Sequence, residues 1–170
     1  GIYPLYYIFS KKHNPKKLGL NFNRRSVIIA ALIGITGSVG LNLYDIFAYL
    51  DEEYFVLQNS SVILIIVLII LLSITVISTE LVFRGVLHRT LKGRFGNNFL
   101  GKASVIVIVA LIYSLLFLFF TLPIGIYFFL VNLMFFIFLG ILYEVNNNIL
   151  TTIIASIIYN VFYIILIVYF

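Results

Sequence analysis

The 170-residue chain is 63% hydrophobic, 17% aromatic and only 10% charged, and it contains no cysteine. A soluble domain carries roughly 45–50% apolar and about 25% charged residues, so a water-soluble core, a disordered tail and a disulfide scaffold are excluded, and cysteine chemistry and zinc–thiolate sites go with them. The net charge of +5 comes from Lys and Arg confined to residues 11–25 and 84–102, which flank apolar runs without forming a soluble basic face; nucleic acid is therefore not an expected partner.

A membrane-crossing helix needs about 20 mostly apolar residues. Residues 2–9 are too short to span and read as a partial N-terminal segment. Spans are expected at 27–49, 61–87, 103–122, 124–143 and 149–170. The first carries Gly34, Gly37 and Gly40, small residues that let helices approach closely. The chain thus reads as one all-α domain, a polytopic transmembrane helical bundle of about five full spans. Residues 1–26 form its N-terminal segment and basic loop, and 27–170 the bundle. No initiator Met is present and the last run reaches the final residue, so neither terminus is expected to be complete.

Charge sets the expected orientation. Loops 10–26 and 88–102 hold the cations and should face the cytoplasm or its equivalent. Asp51, Glu52 and Glu53 then lie outside, Pro123 marks an outer turn, and residues 144–148 make a short inner turn. Gly96-Asn97-Asn98 is a turn rather than a phosphate loop, and Asp45 is an outer interfacial residue. Asn132, Tyr113, Tyr159 and Asn160 are read as helix–helix hydrogen bonders rather than ligand contacts.

An ionisable side chain at membrane depth is costly, so each one demands a role. Glu80 and Arg84 stand out within Ser78-Thr79-Glu80-Leu81-Val82-Phe83-Arg84-Gly85. Their i,i+4 spacing allows an intrahelical ion pair, with Arg84 reaching toward the interface. The alternative is a buried carboxylate held as a general base or metal ligand.

Thr79-Glu80-Leu81-Val82-Phe83-Arg84-Gly85 resembles the Glu-Glu-x-x-Phe-Arg-Gly motif of the CAAX prenyl protease and bacteriocin-processing family of intramembrane proteases. Tyr113-Ser114-Leu115-Leu116-Phe117-Leu118-Phe119-Phe120-Thr121 is similar to the second motif, with Thr121 where the family has histidine. Residues 149–160 resemble the third, with Ser156 in place of histidine and Asn160 retained; Gly140 and Tyr143 fit the step before it. The resemblance covers about residues 18–170 and implies a CAAX-protease-like helical fold. One spacing resists it: Thr121 lies about 28 Å past Lys102 by helical rise, whereas Glu80 and Ser156 lie roughly 12 Å from the same surface. Either the third span begins outside the bilayer or the second motif sits in another register.

The resemblance implies a glutamate that activates water, with histidines holding water or the oxyanion. This chain keeps Glu80, Arg84 and Asn160, places Thr79 at the paired glutamate, and has only His13 and His88, both expected in loops. Hydroxyls neither shuttle protons near neutral pH nor ligate metals well, so no cofactor or metal is expected. A Ser–His pair and an intramembrane lysine are missing, and Asp45 and Glu80 sit toward opposite faces, which disfavours other hydrolase designs. The expected function is a degenerate, non-catalytic member acting as a binding, scaffold, assembly or immunity subunit. Other transmembrane helices and membrane lipids are its expected partners. The alternative is an active endopeptidase with Glu80 as base and Thr121, Ser156 and Asn160 orienting water. A transporter is disfavoured because no paired broken helices are evident.

Overall fold

The computed structural model describes residues 20, 22–48, 61–120 and 126–169, and all regular structure among them is helical. Helix α1 spans Arg24–Ala48, and α2, Val62–Glu80, continues without a break into a π-helical stretch, Leu81–His88, and then α3, Arg89–Phe95. Helix α4 spans Phe99–Phe120, α5 Ile126–Asn146 and α6 Ile149–Tyr169. Five helical runs are long and apolar enough to cross a membrane, so this is a multi-pass integral membrane protein. The 2–9 segment, loop residues 10–19, the acidic loop with Asp51, Glu52 and Glu53, and Thr121 and Pro123 lie outside the described residues.

Local chemistry sets the helix ends. Ser61, in extended conformation, accepts a hydrogen bond on its hydroxyl from the Leu64 N–H (3.4 Å), closing one orphan donor of α2. Gly96, at φ +84°, ends α3 in a conformation that side chains resist. Asn98 then caps α4 by accepting from the Gly101 N–H at 2.9 Å. Asn147, at φ 47°, turns α5 into α6, and Asn148 accepts from the Leu150 N–H at 3.0 Å.

Contacts fix the topology. Gly34 meets Ala155 and Ile158, and Gly37 meets Tyr159, so α1 and α6 run parallel and closely packed. Gly85 meets Ile149 while Glu80 faces Thr152 and Ser156, so α2 runs antiparallel to α6. Gly140 against Ile106 sets α4 antiparallel to α5. The helices therefore alternate up and down. One end of the bundle collects the start of α1, the end of α3, the start of α4 and the α5–α6 turn. Every described Lys and Arg except Arg84 lies there.

Two expectations are corrected. The stretch 88–102 is not a loop: helix continues to Phe95 and resumes at Phe99, and His88 is fully buried. The run from Val62 to Phe95 has 34 residues, about 51 Å at 1.5 Å per residue, so it outreaches the ~30 Å hydrocarbon core and its charged end stays helical beyond it. Glu144 belongs to α5 rather than to a turn, and only Asn147 and Asn148 interrupt the chain there.

A Cβ added at Gly34 would lie 2.7 Å from the Ala155 carbonyl oxygen and 2.9 Å from Ile158. Gly34→Val is expected to cost about 1–3 kcal/mol, read as a lowered thermal midpoint in detergent. Gly40, with nothing within 4 Å, should accept valine within about 0.5 kcal/mol.

Candidate functional site

The π-helical stretch is amphipathic in the membrane sense. Leu81, Arg84 and His88 are buried, while Val82 and Val86 face outward. Such widened turns are rare and recur at functional positions. Glu80, on the last turn of α2, is 1% exposed and Arg84 is fully buried. Arg84 Nε stands 3.7 Å from Glu80 Oε2, an ion pair without hydrogen-bond contact. Arg84 donates instead from Nη2 to the Phe136 carbonyl oxygen at 2.7 Å, and its guanidinium carbon lies 5.0 Å from the Phe136 ring centroid. The guanidinium is thereby anchored to α5 while its charge faces Glu80.

Helix α6 completes the surroundings of the carboxylate. Thr152 and Ser156 turn their hydroxyls toward Glu80. Thr152 donates to the Ile149 carbonyl oxygen at 2.9 Å, whereas Ser156 Oγ is buried without a hydrogen-bond partner. Glu80 Oε2 and Arg84 Nε and Nη1 are likewise buried and make no hydrogen bond, the first two facing each other only as the ion pair. Asn160 donates from Nδ2 to the Ser156 carbonyl oxygen at 2.8 Å, which keeps its side-chain oxygen available.

A cavity of about 180 Å³ opens beside this group. Thr79 and Glu80 line it from α2, Tyr113 from α4, Asn132 and Phe135 from α5, and Ser156 and Asn160 from α6. An apolar cavity of ~150 Å³ accommodates a benzene ring, so this one takes a side chain or small ring with a polar tip. Phe135 stacks on Tyr159, and Phe136 stacks on Tyr113, which makes the walls aromatic. Tyr159 also exchanges hydrogen bonds with Asn42 at 3.0 and 3.2 Å, tying α1 to this face of α6.

The structure thus brings together Glu80, Arg84, Ser156 and Asn160, four of the five residues singled out in the sequence. The fifth, Thr121, lies outside the described residues. Among the described residues, the α4 side chain that lines the cavity is Tyr113, eight positions earlier in the sequence. Sequence pattern had placed Tyr113 at the beginning of the second motif, with its hydroxyl read as a helix–helix contact.

His88 belongs to a separate cluster that the sequence did not reveal. Its Nε2 sits 2.9 Å from Glu144 Oε1, and its ring packs edge-on against Tyr143. Lys92 donates to Glu144 Oε2 at 2.8 Å, and Lys102 Nζ stands 3.8 Å from the same oxygen. No histidine among the described residues lines the cavity. Nor does any group of three His, Cys, Asp or Glu side chains there form a metal site. The cavity's donor set is one carboxylate, an amide and hydroxyls, with the Arg84 cation already opposite the carboxylate.

A sequence model described as "Type II CAAX prenyl endopeptidase Rce1-like" matches residues 60–162, which include the π-helical stretch and all the residues lining the cavity. No curated protein and no solved structure gives a significant match to the chain.

Proposed function

Because this chain belongs to the Rce1-like type II CAAX prenyl endopeptidase family, we propose that it is a binding member of that family, holding a membrane-embedded ligand without cutting it. One observation carries the reading. The only described histidine, His88, lies eight residues beyond Glu80 and is spent on Glu144, so among the described residues no imidazole stands beside the carboxylate to relay a proton. General acid–base help is worth roughly 10²–10⁴-fold per group. A site lacking both motif histidines and the paired glutamate keeps the shape of a peptidase without its rate. Retention is supported by Glu80 Oε2 and Ser156 Oγ, which are buried without a hydrogen bond, since buried polar groups in proteins are nearly always hydrogen-bonded.

The ligand class follows from the family and the cavity together: a C-terminal peptide carrying a prenyl group, with one side chain or amide seated between Glu80, Ser156 and the aromatic wall. Other transmembrane helices offer the same apolar surface with a polar contact, and the protein then serves as a scaffold, assembly or immunity subunit. Filling the cavity tests this. Ser156→Leu is expected to weaken binding of a fluorescent prenylated peptide at least tenfold in lipid vesicles, with Gly40→Val unchanged. Equal binding by all three proteins, or none by any, refutes the proposal.

A second reading is favoured by the closeness of Glu80 and Ser156. Here Glu80 takes a proton from water, which attacks the peptide carbonyl while Ser156 and Asn160 orient it. The proton then passes to the leaving amine as the C–N bond breaks. Thr121 would join if its side chain reached the same face.

A further inference from the structure

Independently of the cavity, we propose that the α3–α4 elbow binds the phosphate of an anionic lipid headgroup, with Lys92 and Lys102 as its two arms. Both lysines stand on one oxygen, Glu144 Oε2, at 2.8 and 3.8 Å, so their ammonium groups cannot be farther apart than those two distances laid end to end. That oxygen holds Lys92 by a hydrogen bond and draws Lys102 toward it, which limits the rotamer freedom that would otherwise oppose binding. Lys92 is 22% and Lys102 41% exposed, so each keeps donors free for a phosphate oxygen while leaning on the carboxylate. A lysine offers three donors, and Glu144 uses one of Lys92's.

The charge around the pair is unbalanced. Arg94 follows Lys92 on α3, and among the described residues Glu144 is the single acidic side chain of the cluster; its other oxygen is taken by His88. The patch therefore keeps a positive surplus after its internal pairing. Interleaved with the cations are strongly exposed apolar residues, Phe95 (46%), Phe99 (83%) and Leu100 (73%). Cations beside exposed aromatic side chains match a surface that is anionic at the headgroup and apolar just beneath it. A soluble anion explains the lysines but not these rings, which favours the lipid as the source of the phosphate.

The acyl chains have a matching surface. Next to Glu144, the ridge of Val145, Ile141, Phe138 and Met134 descends α5 with every side chain about half exposed or more. It drops eleven residues, about 16 Å by helical rise, close to the ~15 Å depth of one leaflet.

The test is native mass spectrometry of the full chain in a neutral detergent, titrated with phosphatidic acid, with phosphatidylcholine or with inorganic phosphate. The wild type is expected to retain one phosphatidic acid at least tenfold better than phosphatidylcholine, and high salt should reduce that preference. Lys92→Gln with Lys102→Gln should abolish the preference, while Lys102→Gln alone, at the looser and more exposed arm, should weaken it several-fold in a protein of unchanged thermal midpoint. Equal retention of the two lipids, unaltered preference in both variants, or displacement by millimolar inorganic phosphate would overturn the proposal.

Discussion

Arg84→Met is expected to be the most destabilising single substitution in the site, costing about 3–5 kcal/mol. The residue is fully buried, lies 3.7 Å from a carboxylate that is itself 1% exposed, and donates to the Phe136 carbonyl. Methionine fills much of the volume but leaves Glu80 without its counter-charge and Phe136 without its donor. The opposite arrangement is instructive: Glu80→Leu combined with Arg84→Met removes both charges, and such apolar replacements of buried pairs are often neutral or stabilising. The double variant should therefore unfold within about 1 kcal/mol of the wild type. Thermal unfolding of the wild type, Glu80→Leu, Arg84→Met and the double variant in one detergent measures the coupling. A pair that stands in water at headgroup level predicts instead a single-variant loss below about 1 kcal/mol.

The second large effect is a gain. Ser156→His restores an imidazole at the α6 position that faces Glu80 and opens on the cavity of about 180 Å³, which has room for the ring. If the missing histidines limit the chemistry, hydrolysis of a prenylated C-terminal peptide should rise by roughly 10²–10⁴-fold over the wild type. Adding Glu80→Gln to that variant should cancel the gain. A folded Ser156→His protein that binds the peptide but gains nothing would show that the absent groups are not what limits the rate.

Much of the architecture was legible because a membrane makes sequence unusually explicit. Runs of about 20 apolar residues located all five spans within a few residues of α1, of α2 with its π-helical continuation to His88, and of α4, α5 and α6. Glu80 and Arg84 stood out since nothing else charged interrupts an apolar run so deeply. Gly34 announced a close approach and makes one, whereas Gly40 sits in the same series and touches nothing; small residues permit contact without specifying it.

What escaped was hidden by the same logic. The stretch from His88 to Arg94 is dense in charge, so it read as a loop, yet the helix runs on and turns His88 inward to Glu144. Glu144 looked like part of a turn because two asparagines follow closely; only Asn147 takes the left-handed conformation that ends α5. No one-dimensional pattern pairs residues 56 positions apart; that pairing needs the π-helical continuation of α2 and the last turns of α5 to meet at one end of the bundle. Tyr113 was missed as a wall of the cavity for a related reason. Motif spacing pointed to Thr121, which lies outside the described residues, whereas Tyr113 joins the cavity because the depth of Glu80 along α2 brings level with it a residue earlier on α4.

The central claim is that the Glu80 cavity holds its ligand without cutting it. The most direct test places the purified wild-type protein and Glu80→Gln in lipid vesicles with a prenylated C-terminal peptide and follows the peptide's mass over many hours. The account predicts an intact, bound peptide with both proteins, at a rate of shortening no higher than in empty vesicles. A shortened product formed by the wild type and lost in Glu80→Gln would contradict it and make the protein a working endopeptidase.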